Sequence, residues 1–239
     1  MFEFTKSIFN KVFVFLVAIF ILSFLIGWFL PIGIDKVESL SYRDYLFSTF
    51  TVFTQFGFLM FSFIISFFIN KEYSNKTILF YKLLSYDSLK FFINKVTVLV
   101  IESIILIAIN LFIVSIIYQD FSLFLLMLFL FTAVVTQYII IVGIISFLST
   151  NILASIGISI SYWILTVILV SSSEHLKYVA IFDASNFLYA HVDKVLMDGE
   201  SFISFSDSLT VISYIGILLA LSTVICKVMN KRWLKLGID

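Results

Sequence analysis

The chain has 239 residues, of which 62% are hydrophobic and only 13% are charged, and its formal net charge is zero. Soluble domains carry about 25% charged residues, so this composition excludes a water-soluble globule and predicts an integral membrane protein. The expected fold class is all-α, because a backbone in lipid must satisfy its own hydrogen bonds. The single cysteine excludes a disulfide framework and a multi-cysteine metal site, and no basic block predicts a nucleic-acid partner.

Six apolar stretches have about the length that a helix needs to cross a bilayer, which is ~20 residues. They cover residues 12–30, 46–69, 96–118, 121–148, 152–171 and 209–226. We expect residues 1–239 to form a single transmembrane domain with these six spans. The first span ends in Trp28-Phe29-Leu30-Pro31 without a small-x-small cleavage site, which favours a retained span over a signal peptide.

The ten residues before the first span, FEFTKSIFNK, alternate between apolar and polar side chains. Phe4 and Ile8 lie one helical turn apart, which predicts a short interfacial helix. The pattern alone leaves open whether this helix only anchors the chain or supports a partner contact.

Positive charge is distributed unevenly between the two sides of the predicted bundle. The N-terminus, the connection 70–95 and the C-terminal tail together hold eleven Lys and Arg residues, against four in the other connections. Because cytoplasmic segments are enriched in Lys and Arg, we expect both termini and residues 70–95 in the cytoplasm, and residues 172–208 outside the cell. The predicted location is the inner membrane of a bacterium.

The connection 70–95 contains five lysines and has helical spacing of its apolar residues. We expect one amphipathic helix over residues 72–90, with Glu72 and Lys76 as a favourable i,i+4 pair. Such a helix either lies in the headgroups or docks into a groove of another protein. The alternative is that its lysines only set the topology and contact anionic lipid.

The connection contains a pattern of residues: Glu72-Tyr73-Ser74-Asn75-Lys76-Thr77, then Leu83-Leu84-Ser85, and finally Lys95 at the start of the third span. The pattern resembles the permease subunits of ABC-2 type transporters, which have six spans and both termini inside. The chain departs from the family where Lys76 replaces the usual Gly and residues 85–88 replace a Pro-x-Ser-Arg. Its small size resembles the short permeases that export, or confer immunity to, peptide antibiotics and bacteriocins.

The resemblance implies an ABC-2, type V exporter-like transmembrane domain whose 2–3 connection is the coupling helix for a separate ATPase subunit. It also implies a dimer, with a second permease copy or paralogue. The residues carried over to the coupling helix are Glu72, Tyr73, Lys76, Thr77, Tyr81, Lys82, Leu84, Asp87 and Lys95. The sequence contains no G-x-x-x-x-G-K-[ST] motif, so we expect no catalytic residue or cofactor on this chain, and ATP with Mg on the partner.

Four polar residues fall inside the predicted spans, namely Glu102, Gln55, Asn110 and Gln137. An ionisable residue at membrane depth is costly and therefore suggests a pathway role. The alternative for Glu102 is that it snorkels or is held protonated against a Ser or Gln neighbour. Amides inside spans most often form interhelical hydrogen bonds. The phenylalanines of the second span, Phe50, Phe53, Phe61 and Phe68, are expected to face lipid more readily than substrate.

The fifth span carries two pairs of small residues, Ser155/Ser159 and Gly157/Ser161, which predict close helix packing within the subunit or between subunits. In the outer segment, Leu188, Val192 and Val195 form an apolar stripe that predicts a helix. The two histidines, His175 and His191, lack a clustered set of carboxylates, so no metal site is expected.

The leading hypothesis is a permease subunit of an ATP-driven transporter for an amphipathic or hydrophobic substrate, in contact with ATPase subunits, a second permease and membrane lipid. The alternative is a membrane scaffold or immunity protein that binds a peptide directly without transport. An intramembrane protease is a poor third option, because the spans contain no histidine and no Gly-x-Ser-x-Gly motif.

Overall fold

The computed structural model describes residues 2–172, 174–198, 200 and 202–235, with every side chain among them except those of Phe2, Glu174 and His175. The α-helices are α1 (Phe2–Phe9), α2 (Val12–Phe29), α3 (Tyr42–Ser74), α4 (Ile78–Leu83), α5 (Ser88–Tyr118), α6 (Phe124–Ser149), α7 (Ile152–Ser172), α8 (Phe187–Asp198) and α9 (Phe205–Lys235). A π-helical turn (Leu30–Ile34) follows α2, and a 3₁₀-helix (Glu174–Val179) precedes α8. No strand occurs among the described residues.

Six of these helices, α2, α3, α5, α6, α7 and α9, are long and apolar enough to cross a membrane, which confirms the predicted all-α, six-span fold. Several are longer than the apolar runs that predicted them. The helix α3 begins at Tyr42 because Ser41 caps it by accepting from the Asp44 backbone N–H at 3.2 Å. Asp87 caps α5 in the same way, through the Lys90 N–H at 2.7 Å.

The core lies between α3 and α6, which are the most buried spans. The expectation that the phenylalanines of α3 face lipid is wrong, because Phe50, Phe53, Phe61 and Phe68 are all buried. Their rings pack against aromatic residues of neighbouring helices: the Phe53 ring lies 4.7 Å from that of Phe131 on α6, and the Phe61 ring lies 5.4 Å from that of Phe20 on α2. Aromatic pairs at such distances stabilise helix packing beyond the area that they bury.

Small residues lie where α2 meets α3 and on two faces of α7. A Cβ added at Gly27 would lie 2.7 Å from the backbone Cα of Thr49, so α2 and α3 approach closely there. Ser155 and Ser159 on α7 are buried, whereas Gly157 and Ser161 lie on an exposed face, with nothing within 4 Å of a Cβ added at Gly157. The two small-residue pairs of this span therefore belong to different faces of the helix.

One end of the bundle, which we call the cluster end, gathers α1, α4, the start of α5 and the last turns of α9. Ser88 donates a hydrogen bond of 2.7 Å to the carbonyl of Cys226, a buried free cysteine, and Lys82 donates to the carbonyl of Leu234 at 2.8 Å. These are the three segments that the charge distribution grouped on one side. The side of the membrane that this end faces stays a prediction.

The opposite end, which we call the loop end, is closed by α8. The predicted apolar stripe is confirmed, since Leu188, Val192 and Val195 are all buried. Arg43 at the start of α3 donates to the carbonyl of Leu196 at 2.8 Å. These contacts hold α8 against the beginning of α3.

His191 on α8 contacts the carboxylate of Asp207 at the start of α9. Its Nδ1 lies 3.1 Å from both carboxylate oxygens, and the hydroxyl of Ser204 donates to the same group at 2.8 Å. No group of three or more potential metal ligands occurs among the described residues. The side chain of His175 lies outside the described part of the chain.

Candidate functional site: an ionic cluster and an exposed tip

Four charged side chains and one tyrosine meet inside the cluster end, and we call this set the ionic cluster. Glu3 and Lys6 come from α1, Glu72 from the last turn of α3, Tyr81 from α4, and Lys95 from the second turn of α5. Four helices are thus joined at one point, although α1 is distant in sequence from the other three.

Lys95 holds the centre of the ionic cluster. Its Nζ lies 2.7 Å from a carboxylate oxygen of Glu3 and 2.7 Å from one of Glu72. Lys6 contacts both oxygens of Glu72, at 3.0 and 2.9 Å, and donates to the Tyr81 hydroxyl at 2.9 Å. The Tyr81 hydroxyl in turn donates to Glu3. Two carboxylates and two ammonium groups therefore balance each other in charge.

Apart from the half-buried Lys6, the ionic cluster is almost fully removed from solvent. Glu3, Glu72 and Tyr81 are 5%, 4% and 1% exposed, and Lys95 is 0% exposed. A buried charge is tolerated only when it is paired and hydrogen-bonded, and each of these groups satisfies that condition through the others. The ring of Phe68 lies 4.0 Å from the Lys95 ammonium and adds a cation–π contact. The ionic cluster is therefore rigid as long as all of its members are present.

Burial, together with the hydrogen bond to Glu3, raises the pKa of Tyr81 far above its usual value of 10. Burial disfavours the phenolate, and the nearby carboxylates of Glu3 and Glu72 repel a further negative charge. Tyr81 therefore remains a neutral donor between two carboxylates.

The connection after α3 is not the single helix that was expected over residues 72–90. Lys76 and Ser85 both adopt left-handed backbone conformations, with φ of 57° at each, and these turns limit α4 to the six residues Ile78–Leu83. The expected Glu72–Lys76 pair is also wrong, because the Glu72 carboxylate points into the bundle toward Lys6 and Lys95 while Lys76 is exposed.

The short helix α4 presents an apolar surface to the outside, which we call the tip. Its residues Phe80, Leu83 and Leu84 are 48%, 83% and 49% exposed. Lys82, on the same helix, is half-buried. An exposed apolar patch with a polar rim is typical of a protein-binding surface.

The residues carried over to the coupling segment divide by burial. Glu72, Tyr81 and Lys95 are buried in the ionic cluster, so they do not present a surface to a partner. Those that are exposed are Lys76, Leu84 and Asp87, and those that are half-buried are Tyr73, Thr77 and Lys82. The part of all nine in coupling stays a prediction.

Sequence reasoning missed Glu3 and Lys6 as members of the site. Their partners lie 66 or more residues away in the chain, at Glu72 and Lys95. One signal was available: α1 carries one acid and one base, and the ends of the second and third spans that border the connection carry Glu72 with Lys71 and Lys95. These charges allowed a pairing with α1 but did not specify it.

The polar residues inside the spans have four different surroundings. Glu102 on α5 is buried and accepts a hydrogen bond of 2.8 Å from Ser7 on α1. Asn110 donates to the Leu106 carbonyl of its own helix at 2.8 Å. Gln55 is exposed on α3, and Gln137 on α6 is buried, with a side-chain oxygen that has no hydrogen-bond partner in the described part of the chain. A pathway role for any of these stays a prediction.

The chain is similar in sequence to known proteins over nearly its full length. The sequence profile of the Peptide export permease protein YydJ family matches residues 1–238. The chain belongs to the YydJ family. It is 46% identical over 237 residues to the "Probable peptide export permease protein YydJ" of Bacillus subtilis (strain 168), and the match covers 99% of each chain. No solved structure matches.

Membership in the YydJ family makes the chain a permease, a multi-pass membrane component of a transport system. The match covers all but the last residue of the chain, so the ionic cluster and the tip both lie within the family's extent. The family match gives no role to any single residue.

Proposed function

We propose that this chain is the membrane-spanning subunit of an ATP-driven exporter of peptides, and that a separate ATPase subunit docks on the tip. The observation that carries the proposal is the joint presence of an exposed apolar tip and a buried ionic cluster directly behind it. Peptide export is supported by the name of the Bacillus subtilis relative. ATP and Mg belong to the partner in this proposal.

The tip suits a docking role because Leu83 and Leu84 offer apolar area, while the neighbouring Lys82 adds a positive charge. Apolar anchors provide binding energy, and charges at the rim steer the encounter. In this proposal the cluster end faces the cytoplasm, where an ATPase would be found.

The ionic cluster suits the transmission of movement. A displacement of α4 is passed to α1, α3 and α5 through Tyr81 and Lys95, because a network of short, buried contacts does not deform gradually. Two of the connected helices, α3 and α5, run the full depth of the bundle. ATP-driven closure of the partner would thus reach the spans.

The substrate in this proposal is an amphipathic or hydrophobic peptide, such as a peptide antibiotic or a bacteriocin, and a second permease copy completes the pathway. The exposed face of α7 around Gly157 and Ser161 has room for close approach of another helix. Gln55 on the exposed side of α3 would be costly in lipid, which favours a polar or protein neighbour there.

Co-purification tests the proposal. The full chain is purified from its native membrane and the proteins that co-purify are assayed for ATP hydrolysis. Leu83→Asp is compared with Met197→Asp, a matched change at the loop end, where Met197 is 78% exposed. We expect Leu83→Asp to release the ATPase and to abolish peptide-stimulated ATP hydrolysis, with Met197→Asp unchanged. Retention of the ATPase by Leu83→Asp contradicts docking on the tip. Protection against a peptide without nucleotide hydrolysis favours the scaffold or immunity alternative.

A further inference from the structure

A cavity of about 300 Å³ opens beside the ionic cluster, between α1 and the end of α3. The residues that line it are Thr5, Lys6, Phe9, Asn10, Lys71, Glu72, Asn75 and Thr77. This cavity is separate from the tip, none of whose residues line it.

Lys71 gives the cavity an uncompensated positive charge. Its Nζ donates to the side-chain oxygen of Asn10 at 2.9 Å and lies 5.0 Å from the ring of Phe67, and neither group is charged. No carboxylate of a described residue forms an ion pair with Lys71, whereas Lys6 pairs with Glu72. When Lys71 is added to the neutral ionic cluster, the region has a net charge of +1.

The lining contains one carboxylate, that of Glu72, which is paired with Lys6 and Lys95. The rest of the lining provides neutral donors and an apolar edge. Asn10 accepts from Lys71 through its oxygen, so its side-chain N–H groups remain as donors, and the amide of Asn75 lies on the same wall. Phe9 is 81% exposed and Ile8, next to it on α1, is 61% exposed. Lys71 lies two residues after Ile69, the last apolar residue of the span in α3. The cavity is therefore at the level where this span leaves the hydrocarbon.

We propose that this cavity binds the phosphate of an anionic phospholipid, with Lys71 as the charged contact and Asn10 and Asn75 as donors. The exposed Ile8 and Phe9 then lie against the upper part of the acyl chains. A free anion would gain nothing from this apolar edge, which is why the observations favour a lipid. Basic pockets between spans on the cytoplasmic side are known binding places for anionic headgroups. The site is independent of the proposed transport cycle.

Native mass spectrometry of the full chain tests the proposal. The detergent-solubilised protein is titrated with phosphatidylglycerol and, separately, with phosphatidylcholine of the same acyl chains. We expect phosphatidylglycerol to bind more tightly. We expect Lys71→Gln to weaken that binding about fivefold, the contribution of one lysine near an anionic surface, while Lys71→Arg retains it. Lys90→Gln is the matched control, because Lys90 lies over the Tyr86 ring and away from the cavity.

Asn75→Asp provides a second variant that leaves Lys71 in place. Asn75 is exposed, so this change should not affect folding, and the new carboxylate should repel the headgroup and weaken binding. Equal affinity of Lys71→Gln and wild type for phosphatidylglycerol would overturn the site. Competition by inorganic phosphate at the affinity of the lipid, or by an exported peptide, would overturn the assignment to a phospholipid.

Discussion

The two ends of the bundle are held together by different kinds of contact. At the cluster end, charged groups from three helices and the Tyr81 hydroxyl from a fourth meet around Lys95, and all of them except Lys6 are buried. At the loop end, the charged Arg43 and Asp207 make separate contacts, and neutral pairs occur beside them: the hydroxyls of Thr51 and Tyr189 lie 2.5 Å apart, and that of Tyr42 lies 2.8 Å from that of Ser115. A buried charge network tolerates only complete assembly, whereas each neutral hydrogen bond contributes little by itself. The cluster end should therefore move as one body, and the loop end should yield contact by contact.

The largest effect is expected for Lys95→Met, which leaves the carboxylates of Glu3 and Glu72 buried beside a single remaining cation. Removal of one partner of a buried ion pair costs about 3–5 kcal/mol of unfolding free energy. Unfolding of the purified protein in mixed detergent micelles measures this loss. A double-mutant cycle with Glu72→Gln should show strong coupling, and additive effects would contradict the ionic cluster as a unit.

A smaller loss is expected for Gly27→Ala near the loop end, where the added methyl group meets the backbone of Thr49. Overpacking of this kind costs about 1–3 kcal/mol, measured by the same unfolding assay. Gly157→Ala is the control, since the space around Gly157 is open within one chain. Loss of stability in the control but not in Gly27→Ala would reverse the assignment of the close approach.

The ionic cluster should also make stability depend on alkaline pH through Tyr81. Its raised pKa means that, above about pH 10, the unfolded chain loses the phenolic proton while the folded chain keeps it. The stabilisation is complete below pH 10 and is lost as the pH rises, at about 1.4 kcal/mol per unit. Above about pH 10, the slope of the unfolding free energy against pH should differ by this amount between wild type and Tyr81→Phe. Parallel slopes would show that Tyr81 ionises freely.

The smallest effect is expected for Tyr189→Phe at the loop end, which removes the hydroxyl contact with Thr51 and leaves the ring on Phe50, 5.9 Å away. A neutral hydrogen bond contributes about 0.5–1.5 kcal/mol, so the unfolding free energy should fall within that range. A loss as large as that of Lys95→Met would remove the proposed contrast between the two ends.

The sequence was sufficient to predict the spans, because their signal is local. Runs of apolar residues determine six helices, and the distribution of lysine and arginine correctly grouped the three segments of the cluster end. The signals for α1 and α8 were also local, since each helix shows its apolar stripe within a few residues. The helices are longer than those runs because caps such as Ser41 and Asp87 lie beyond the apolar part.

The parts that were wrong depend on contacts between distant segments. Helical spacing over residues 72–90 did not show that Lys76 and Ser85 turn left-handed. The pairing of Glu72 with Lys76 was plausible for an isolated helix, but Lys95 and Lys6 offer that carboxylate partners in a buried place. In the same way, a phenylalanine side chain packs favourably both against lipid and against other phenylalanines. Whether it faces lipid or the core depends on contacts between distant segments, which a single sequence does not contain.

The burial of Cys226 has a practical consequence. As the chain's single cysteine, held at 0% exposure, it gives thiol reagents no ready target in the folded protein. A cysteine introduced at Leu83 or Met197 would therefore be the main reactive thiol, and a membrane-impermeant maleimide applied to intact cells would label only the variant whose new side chain lies outside.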